Sequence, residues 1–211
     1  MTALLLCNGE PPPRRLAHRL ARHAGIIVAA DGGANTARAL GLTPAVIIGD
    51  LDSLTGATRR AFPGAEIIRL RRQDNTDLEK ALDEIHRRGI DRVVVLGATG
   101  RRMDFTLGNL SIVWRYQGRL QVLFAGDGWY AVPAGREQRI HAPAGTTVSL
   151  IPYGPCSGIT LRGLVYPLKD ASMAVGVVGV SNVVRRSPFS VSVRRGKMLL
   201  VVMESFTPGP V

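Results

Sequence analysis

The sequence has few of the features that mark secreted and membrane proteins. Its 211 residues include two cysteines, Cys7 and Cys156, which are too few for a disulfide framework. No apolar run approaches the roughly 20 residues of a membrane-spanning helix, and the longest candidate, residues 174–180, contains two glycines. No basic residue precedes the first apolar stretch, so we expect no secretory signal. These absences predict a protein of the reducing cytoplasm without a membrane partner.

Lysine and aromatic residues are also scarce, although the net charge is +11. Only three of the 27 basic residues are lysines, and aromatic residues make up 5% of the chain. The arginines are scattered, often as pairs, and form no basic stripe with interleaved aromatic residues of the kind that binds nucleic acid. We therefore expect no nucleic-acid partner, and the excess charge assists at most the capture of an anionic substrate.

Several common nucleotide and metal motifs are missing. The chain has no Walker-type loop with its lysine, and no G-x-G-x-x-G follows the first predicted strand. Its histidines and cysteines show no zinc-ligand spacing. A nucleotide or metal site must therefore use other residues.

The hydrophobic pattern changes near Asp127. Before it, short β-branched runs alternate with helical patterns, which predicts a doubly wound, mainly parallel α/β domain over residues 1–127. After it, the helical period disappears, and short runs separated by Pro and Gly predict an all-β sandwich or barrel-like domain over residues 128–211. The predicted strands are residues 3–7, 26–30, 45–48, 66–70, 92–96 and 120–124, then 129–132, 138–141, 146–151, 158–161, 189–194 and 197–203.

The clearest predicted helix follows Thr76, a residue type suited to an N-cap. Apolar residues then recur at three- and four-residue spacing, which predicts one buried helix face. They are Leu78, Ala81, Leu82 and Ile85.

Acidic residues follow four of the predicted parallel strands. The strand ends continue as DGGAN (31–35), GDLDS (49–53), QDNTD (73–77) and GATGRRMD (97–104). Ligands of an open parallel sheet bind beyond the carboxyl ends of its strands, so these carboxylates would face one crevice. Because like charges placed together repel, the pattern predicts a bound cation.

The residue types favour Mg²⁺ over a softer metal. Asp50 and Asp52 are two residues apart, so both would point the same way in an extended segment, and Asp77 would complete the set from the next helix start. Mg²⁺ shares its coordination with substrate phosphates, so a nucleotide is the expected companion. The Gly32-Gly33 turn would let backbone N–H groups approach a phosphate at a helix start.

Simpler interpretations of the single residues stay open. Asp31 or Asp74 can act only as a helix cap, and Gly32-Gly33 can merely turn the chain. Their joint occurrence with GDLDS favours a site for metal and nucleotide.

Read in order, these segments resemble the thiamin pyrophosphokinase family. The resemblance rests on AADGGAN (29–35), GDLDS (49–53), QDNTDLEKAL (73–82), LGATGRRMD (96–104) and GLVYPLKD (163–170), with Ser181-Asn182 after them. It implies a homodimer whose active site combines the α/β domain of one subunit with the β domain of the other. It also implies that ATP transfers its terminal diphosphate to the hydroxyethyl oxygen of thiamine and releases AMP.

For the first domain, the resemblance implies a nucleotide and metal site. Asp50, Asp52 and Asp77 are then the Mg²⁺ ligands. Arg102 would reach a phosphate, and Asp104 would help to hold the thiamine. Either Asp77 or Asp104 would accept the hydroxyl proton. The residues placed near the nucleotide are Asp31, Gly32, Gly33, Asn35, Gln73 and Asp74.

For the second domain, the resemblance implies thiamine binding and dimerisation. Tyr166 would lie against the vitamin, whose fixed positive charge suits an aromatic face, although an aromatic beside a proline can equally be packing. Ser181 and Asn182 would contact the aminopyrimidine or the adenine. The chain departs from the family pattern at Phe105, after Asp104, and at Val183, after Asn182.

Two other functions stay open from the sequence. One is the same diphosphate transfer to another acceptor, such as a hydroxymethylpterin, and the other is a non-catalytic nucleotide-binding module. Lys80 and Lys169 could meet a phosphate, but the simpler expectation places both on the surface.

Overall fold

The computed structural model describes residues 1–71, 74–176 and 178–208, which fall into two units. One comprises Met1–Asp127 with residues 207–208, and the other Gly128–Phe206. The second unit ends at Phe206, whereas the domain predicted from the sequence runs from residue 128 to residue 211. The functional roles assigned to the two domains stay predictions.

Six parallel strands form the sheet of the first unit, in the order β6-β5-β1-β2-β3-β4. Each central strand is a nearly continuous run of buried apolar residues, as expected for a sheet with both faces covered. The strands are β1 (Thr2–Leu6), β2 (Ile26–Ala30), β3 (Val46–Gly49), β4 (Glu66–Arg69), β5 (Arg92–Leu96) and β6 (Gln121–Gly126).

The helices of this unit connect its strands. α4 shows why the sequence specifies them: Thr76 and Glu79 form a reciprocal capping box, and the predicted apolar face is buried. The helices are α1 (Arg14–Ala21), α2 (Gly33–Leu40), α3 (Gly56–Ala61), α4 (Asp77–Arg87), α5 (Met103–Ser111) and α6 (Val113–Tyr116).

The strand order reverses between β1 and β5. The chain builds outward from β1 through β2 and β3 to β4, then returns through α4 to place β5 on the other side of β1. Such a reversal separates the loops that follow the two neighbouring strands and opens a crevice at their carboxyl ends.

The second unit consists of two antiparallel sheets, with strand orders β12-β9-β14-β7 and β11-β10-β13-β8. The predicted fold class, an α/β domain followed by an all-β domain, is confirmed. The strands are β7 (Trp129–Pro133), β8 (Gln138–Ile140), β9 (Thr147–Pro152), β10 (Cys156–Arg162), β11 (Leu168–Met173), β12 (Asn182–Val183), β13 (Phe189–Ser192) and β14 (Met198–Val202).

The sequence did not predict β11 or β12. β11 has the sequence LKDASM, is an edge strand whose residues are half-buried or exposed, and is stabilised by its pairing with β10. β12 has only two residues. Within the described ranges, no helix is both long and apolar enough to span a bilayer.

Candidate active site

A cleft of about 560 Å³ opens in the first unit at the reversal between β1 and β5. Its walls come from the segments that follow β1, β2, β3 and β5 and from the starts of α4 and α5. Acidic residues predicted from the sequence line it, including Asp31, Asp50, Asp52 and Asp77. The rule that ligands bind at the carboxyl ends of parallel strands therefore located the cleft correctly.

Three carboxylates form the tightest group in this cleft. Asp31, Asp50 and Asp77 each present an oxygen within 4.8 Å of the others, and we refer to them as the aspartate cluster. Asp31 follows β2, Asp50 follows β3 and Asp77 is the first residue of α4. Oxygen ligands at this spacing suit a hard divalent cation.

Asp31 is the most buried member of the cluster, with 4% of its surface exposed. Its backbone is in the left-handed region at φ 42°, and its buried Oδ1 has no hydrogen-bond partner among the described residues. Burial raises the pKa of Asp31 above its usual range, and the charges of Asp77 and Asp52 raise it further, against hydrogen bonds from Ser53 and Gly32. The surroundings therefore stabilise an ionised Asp31 poorly, which favours a cation beside the charged form.

Gly49 makes room for the cluster. A Cβ at this position would lie 2.9 Å from the Cβ of Asp31 and 3.0 Å from Oδ1 of Asp77. Any side chain here would push two of the three carboxylates apart. The glycine before Asp50 thus allows the close approach that a shared ion needs.

Asp52 lies outside the cluster, and the expectation of an extended segment from Asp50 to Asp52 is wrong. Leu51 adopts the left-handed conformation at φ 67°, so the chain turns between them. The Asp52 N–H donates to Asp50 Oδ1 at 3.2 Å, and Ser53 Oγ donates to Asp52 Oδ1 at 2.9 Å. The geometry favours Asp31 in the place expected for Asp52, whose role as a ligand stays a prediction.

Asn35, expected near the nucleotide, braces the loop that follows Asp50. Its Nδ2 donates to the Ser53 carbonyl at 2.7 Å, and its Oδ1 accepts from the Thr55 N–H at 3.3 Å. Both ends of the amide thereby hold the loop that carries Asp50 and Asp52.

The Gly32-Gly33 pair begins α2, and close packing explains it. A Cβ on Gly33 would lie 2.0 Å from the Leu6 carbonyl oxygen, and one on Gly32 would lie 2.3 Å from Asn8 Nδ2. A phosphate contact of these glycines stays a prediction, as does a nucleotide contact of Asp74, which is exposed before α4. Gln73 lies outside the described residues.

Lys80 is a functional candidate that the sequence reading placed wrongly on the surface. It is 3% exposed, and its Nζ donates to Asp77 Oδ1 at 2.8 Å. The i,i+3 spacing of Asp77 and Lys80 on a capped helix was the available signal. A buried ammonium group therefore touches the aspartate cluster.

Arg102 and Asp104 pair with each other at the start of α5. Arg102 Nη2 donates to Asp104 Oδ2 at 2.5 Å and Nε to Oδ1 at 3.1 Å, and the guanidinium stacks 4.4 Å from the Phe105 ring centroid. The hydrogen bond from Arg102 holds the pKa of Asp104 below its usual range. Both side chains are about two-thirds exposed, at 67% and 63%. Arg102 lines both the main cleft and a second cavity of about 450 Å³, whereas Asp104 is among the lining residues of the second cavity alone.

The loop after β1 also lines the cleft, which the sequence reading missed because no motif marks it. Asn8 and Gly9 lie there, and Arg101 Nη1 donates to the Asn8 carbonyl at 3.3 Å. Cys7 lines the same wall, and burial raises the pKa of its thiol to about 12. The thiol is therefore neutral and unsuited to act as a nucleophile.

In the second unit, Asn182 is committed to hydrogen bonds within the protein. It is buried, its Oδ1 accepts from the Tyr166 N–H at 3.0 Å, and its Nδ2 donates to the Tyr166 carbonyl at 2.8 Å. Ser181 adopts φ 64°, and its N–H donates to Ser149 Oγ. Asn182 thus fixes the backbone of Tyr166, whose side chain is 66% exposed. Direct contacts of these three residues with a ligand stay predictions.

Comparison with known proteins gives one consistent family. Residues 17–124 match the family model "Thiamin pyrophosphokinase, catalytic domain", and residues 137–198 match "Thiamin pyrophosphokinase, vitamin B1 binding domain". Thiamine pyrophosphokinase 1 of Oryza sativa subsp. japonica is 31% identical, over 86% of this chain and 80% of that protein. Thiamine pyrophosphokinase of Bacillus subtilis (strain 168) is 26% identical, over 82% of this chain and 85% of that protein.

Solved structures share the fold. Thiamin pyrophosphokinase from Candida albicans superimposes with a TM-score of 0.86 at 19% identity, over 97% of this chain and 89% of that one. Thiamine pyrophosphokinase from Bacillus subtilis does so with a TM-score of 0.82 at 24% identity, over 98% and 100% of the two chains. Together with the sequence matches, the fold leads to one conclusion: the chain belongs to the thiamin pyrophosphokinase family.

Proposed function

We propose that this protein is a Mg²⁺-dependent enzyme that transfers the terminal diphosphate of ATP to the hydroxyethyl oxygen of thiamine, giving thiamine diphosphate and AMP. The family membership supports the reaction. The observation that carries the metal dependence is the aspartate cluster with its buried, unpartnered Asp31 oxygen.

The residues present fit a magnesium ion. Asp31, Asp50 and Asp77 would hold it, and Gly49 leaves the space that their approach requires. Three carboxylates leave coordination positions for water and phosphate oxygens, as Mg²⁺ usually requires. A bound Mg²⁺ would neutralise charge on the phosphates during transfer.

The protein itself also supplies positive charge to the cleft. Arg101 and Arg102 line it together with the carboxylates, so both could contact the phosphates of a bound nucleotide. Transfer of this type depends mostly on positioning and charge stabilisation, to which guanidinium groups in contact with the phosphates would contribute.

Of the two carboxylates proposed as proton acceptor, Asp104 has fewer competing partners. Asp77 belongs to the cluster and is bound by Lys80, whereas Asp104 contacts only exposed groups of its own segment among the contacts described. When Arg102 turns from Asp104 to a phosphate, Asp104 loses the bond that lowers its pKa. Its basicity then rises as the substrate binds.

Exposed apolar side chains support the proposed homodimer. Met103 and Leu107 are exposed on α5, a helix without buried residues. In the second unit, Val175 and Val178 are exposed on the loop before Ser181. Burial of such side chains against a second copy would remove apolar surface from water. The exposed Tyr166 ring would remain available to the thiazolium of thiamine.

Product analysis tests the reaction directly. The purified protein is incubated with ATP and thiamine, with Mg²⁺ or with EDTA, and AMP and thiamine diphosphate are quantified. We expect equal amounts of both products with Mg²⁺ and neither with EDTA. AMP release with a hydroxymethylpterin instead of thiamine would favour the other acceptor, and nucleotide binding without AMP would favour a non-catalytic module. The comparisons favour neither of these alternatives.

A further inference from the structure

Lys80 carries a charge but is buried, like most residues of α4. Its neighbours Glu79, Ala81 and Leu82 are buried with it. An ammonium group in such surroundings is unfavourable unless a carboxylate pairs with it. Its Nζ lies 2.8 Å from Asp77 Oδ1, so the pair joins Lys80 to the aspartate cluster.

We propose that Lys80 is a positioning residue that acts as a built-in countercharge for the aspartate cluster. Its ammonium group offsets repulsion among the three carboxylates when no metal is bound, and it fixes the rotation of the Asp77 carboxylate. Three ionised carboxylates and one ammonium leave two negative charges, which one dication neutralises. This inference rests on the magnesium site of the proposed function.

The proposal makes Lys80 and Mg²⁺ partial substitutes for each other. Each lowers the repulsion among the same carboxylates, so removal of one makes the other more important for stability. Replacement of Lys80 by Met, an apolar side chain of similar length, should therefore destabilise the metal-free protein more than the Mg²⁺-bound protein. Linkage then requires tighter Mg²⁺ binding by the variant, which we expect to be about tenfold.

Calorimetric melting of the full chain tests this coupling without any activity measurement. Wild type, Lys80→Met and Lys80→Arg are melted in EDTA and in millimolar Mg²⁺, with Arg88→Met as the matched control. Arg88 pairs with the buried Glu84 at the other end of α4, away from the cluster. We expect Lys80→Met to lower Tm more in EDTA than in Mg²⁺, Arg88→Met to lower it equally in both, and Lys80→Arg to respond as wild type.

The outcomes separate this inference from the metal site. If Mg²⁺ does not raise the Tm of the wild type, the proposed magnesium site fails and the inference fails with it. If Mg²⁺ stabilises the wild type but Lys80→Met loses the same number of degrees in both buffers, Lys80 is only structural, and the inference is overturned alone. If Lys80→Met is unfolded in EDTA, Mg²⁺ should restore its far-ultraviolet circular dichroism, and failure to do so would overturn the proposal.

Discussion

Two charged groups of the first unit differ in how the protein supports them. The aspartate cluster lies at the ends of β2 and β3 and the start of α4, with Asp31 buried and Asp77 held by a buried lysine. The Arg102–Asp104 pair lies on α5, a helix with no buried residues, and both its side chains are exposed. The cluster has more negative charge than its surroundings compensate, whereas the pair compensates itself. The cluster therefore has the charge to attract a cation, as proposed above, whereas the pair would have to separate before either side chain could contact a substrate.

The largest effect is expected at the centre of the cluster. Asp50→Asn should reduce turnover about 10³-fold or more, because the loss of metal stabilisation is worth several kcal/mol. Initial rates of AMP formation at saturating Mg²⁺ measure the loss. Asp91→Asn is the control and should retain full activity, because Asp91 is an exposed carboxylate that pairs with the amino group of Met1. An Asp50→Asn enzyme with normal rates would contradict the metal assignment.

Asp31→Asn should separate stability from function at the same site. Removal of a buried charge that has no adequate partner should stabilise the metal-free protein by about 1 to 3 kcal/mol. The same change should abolish the rise in Tm that Mg²⁺ produces in the wild type. Urea unfolding in EDTA and in Mg²⁺ measures both effects, and a destabilised variant in EDTA would show that the hydrogen bonds from Ser53 and Gly32 outweigh the cost of burying the charge.

On α5, the expected effect of a side-chain change is smaller. Phe105→Leu removes the ring that stacks on Arg102 and should raise the KM for ATP about two- to fivefold, because such stacking is worth about 0.5–1 kcal/mol. Phe105→Tyr keeps a ring and should retain the wild-type KM. A fall in kcat without a change in KM would instead place Phe105 at the transferring group.

The smallest effect concerns the far end of α4, where Glu84 pairs with Arg87 and Arg88. These bonds hold the pKa of Glu84 below its usual range. They therefore stabilise the folded protein fully at a pH above the ordinary pKa of glutamate. This stabilisation is lost as the pH falls through the lowered pKa of Glu84. Arg88→Met should therefore reduce stability by about 1 kcal/mol or less at neutral pH. The difference from wild type should close in acid, as urea midpoints will show; a constant difference would assign the loss to packing.

Much of the first unit was predictable because local signals and tertiary structure agree there. The buried runs of β1, β2 and β5 specify strands, and Thr76 with Glu79 specifies the start of α4. Asp50 and Asp77 followed from the rule for strand ends. The edge strand β11 was not predictable, because its polar sequence forms a strand only through its pairing with β10.

The differences between the expected and the observed geometry have particular physical causes. The left-handed backbone of Leu51 turns Asp52 out of the cluster, and no residue type at position 51 signals that turn. Lys80 was expected on the surface because lysines are rarely buried without a partner, and the i,i+3 spacing that pairs it with Asp77 does not by itself show that this face of α4 is buried. Spacing along the chain therefore predicted an acidic site, while the three-dimensional structure was needed to show which carboxylates lie closest together.

Magnesium binding at the aspartate cluster can be measured by calorimetric titration of the wild-type protein with Mg²⁺ in the presence of a non-hydrolysable ATP analogue. We expect saturable Mg²⁺ uptake that Asp50→Asn abolishes and Asp104→Asn leaves unchanged. Uptake that persists in Asp50→Asn, or that disappears only in Asp104→Asn, would contradict the proposed magnesium site.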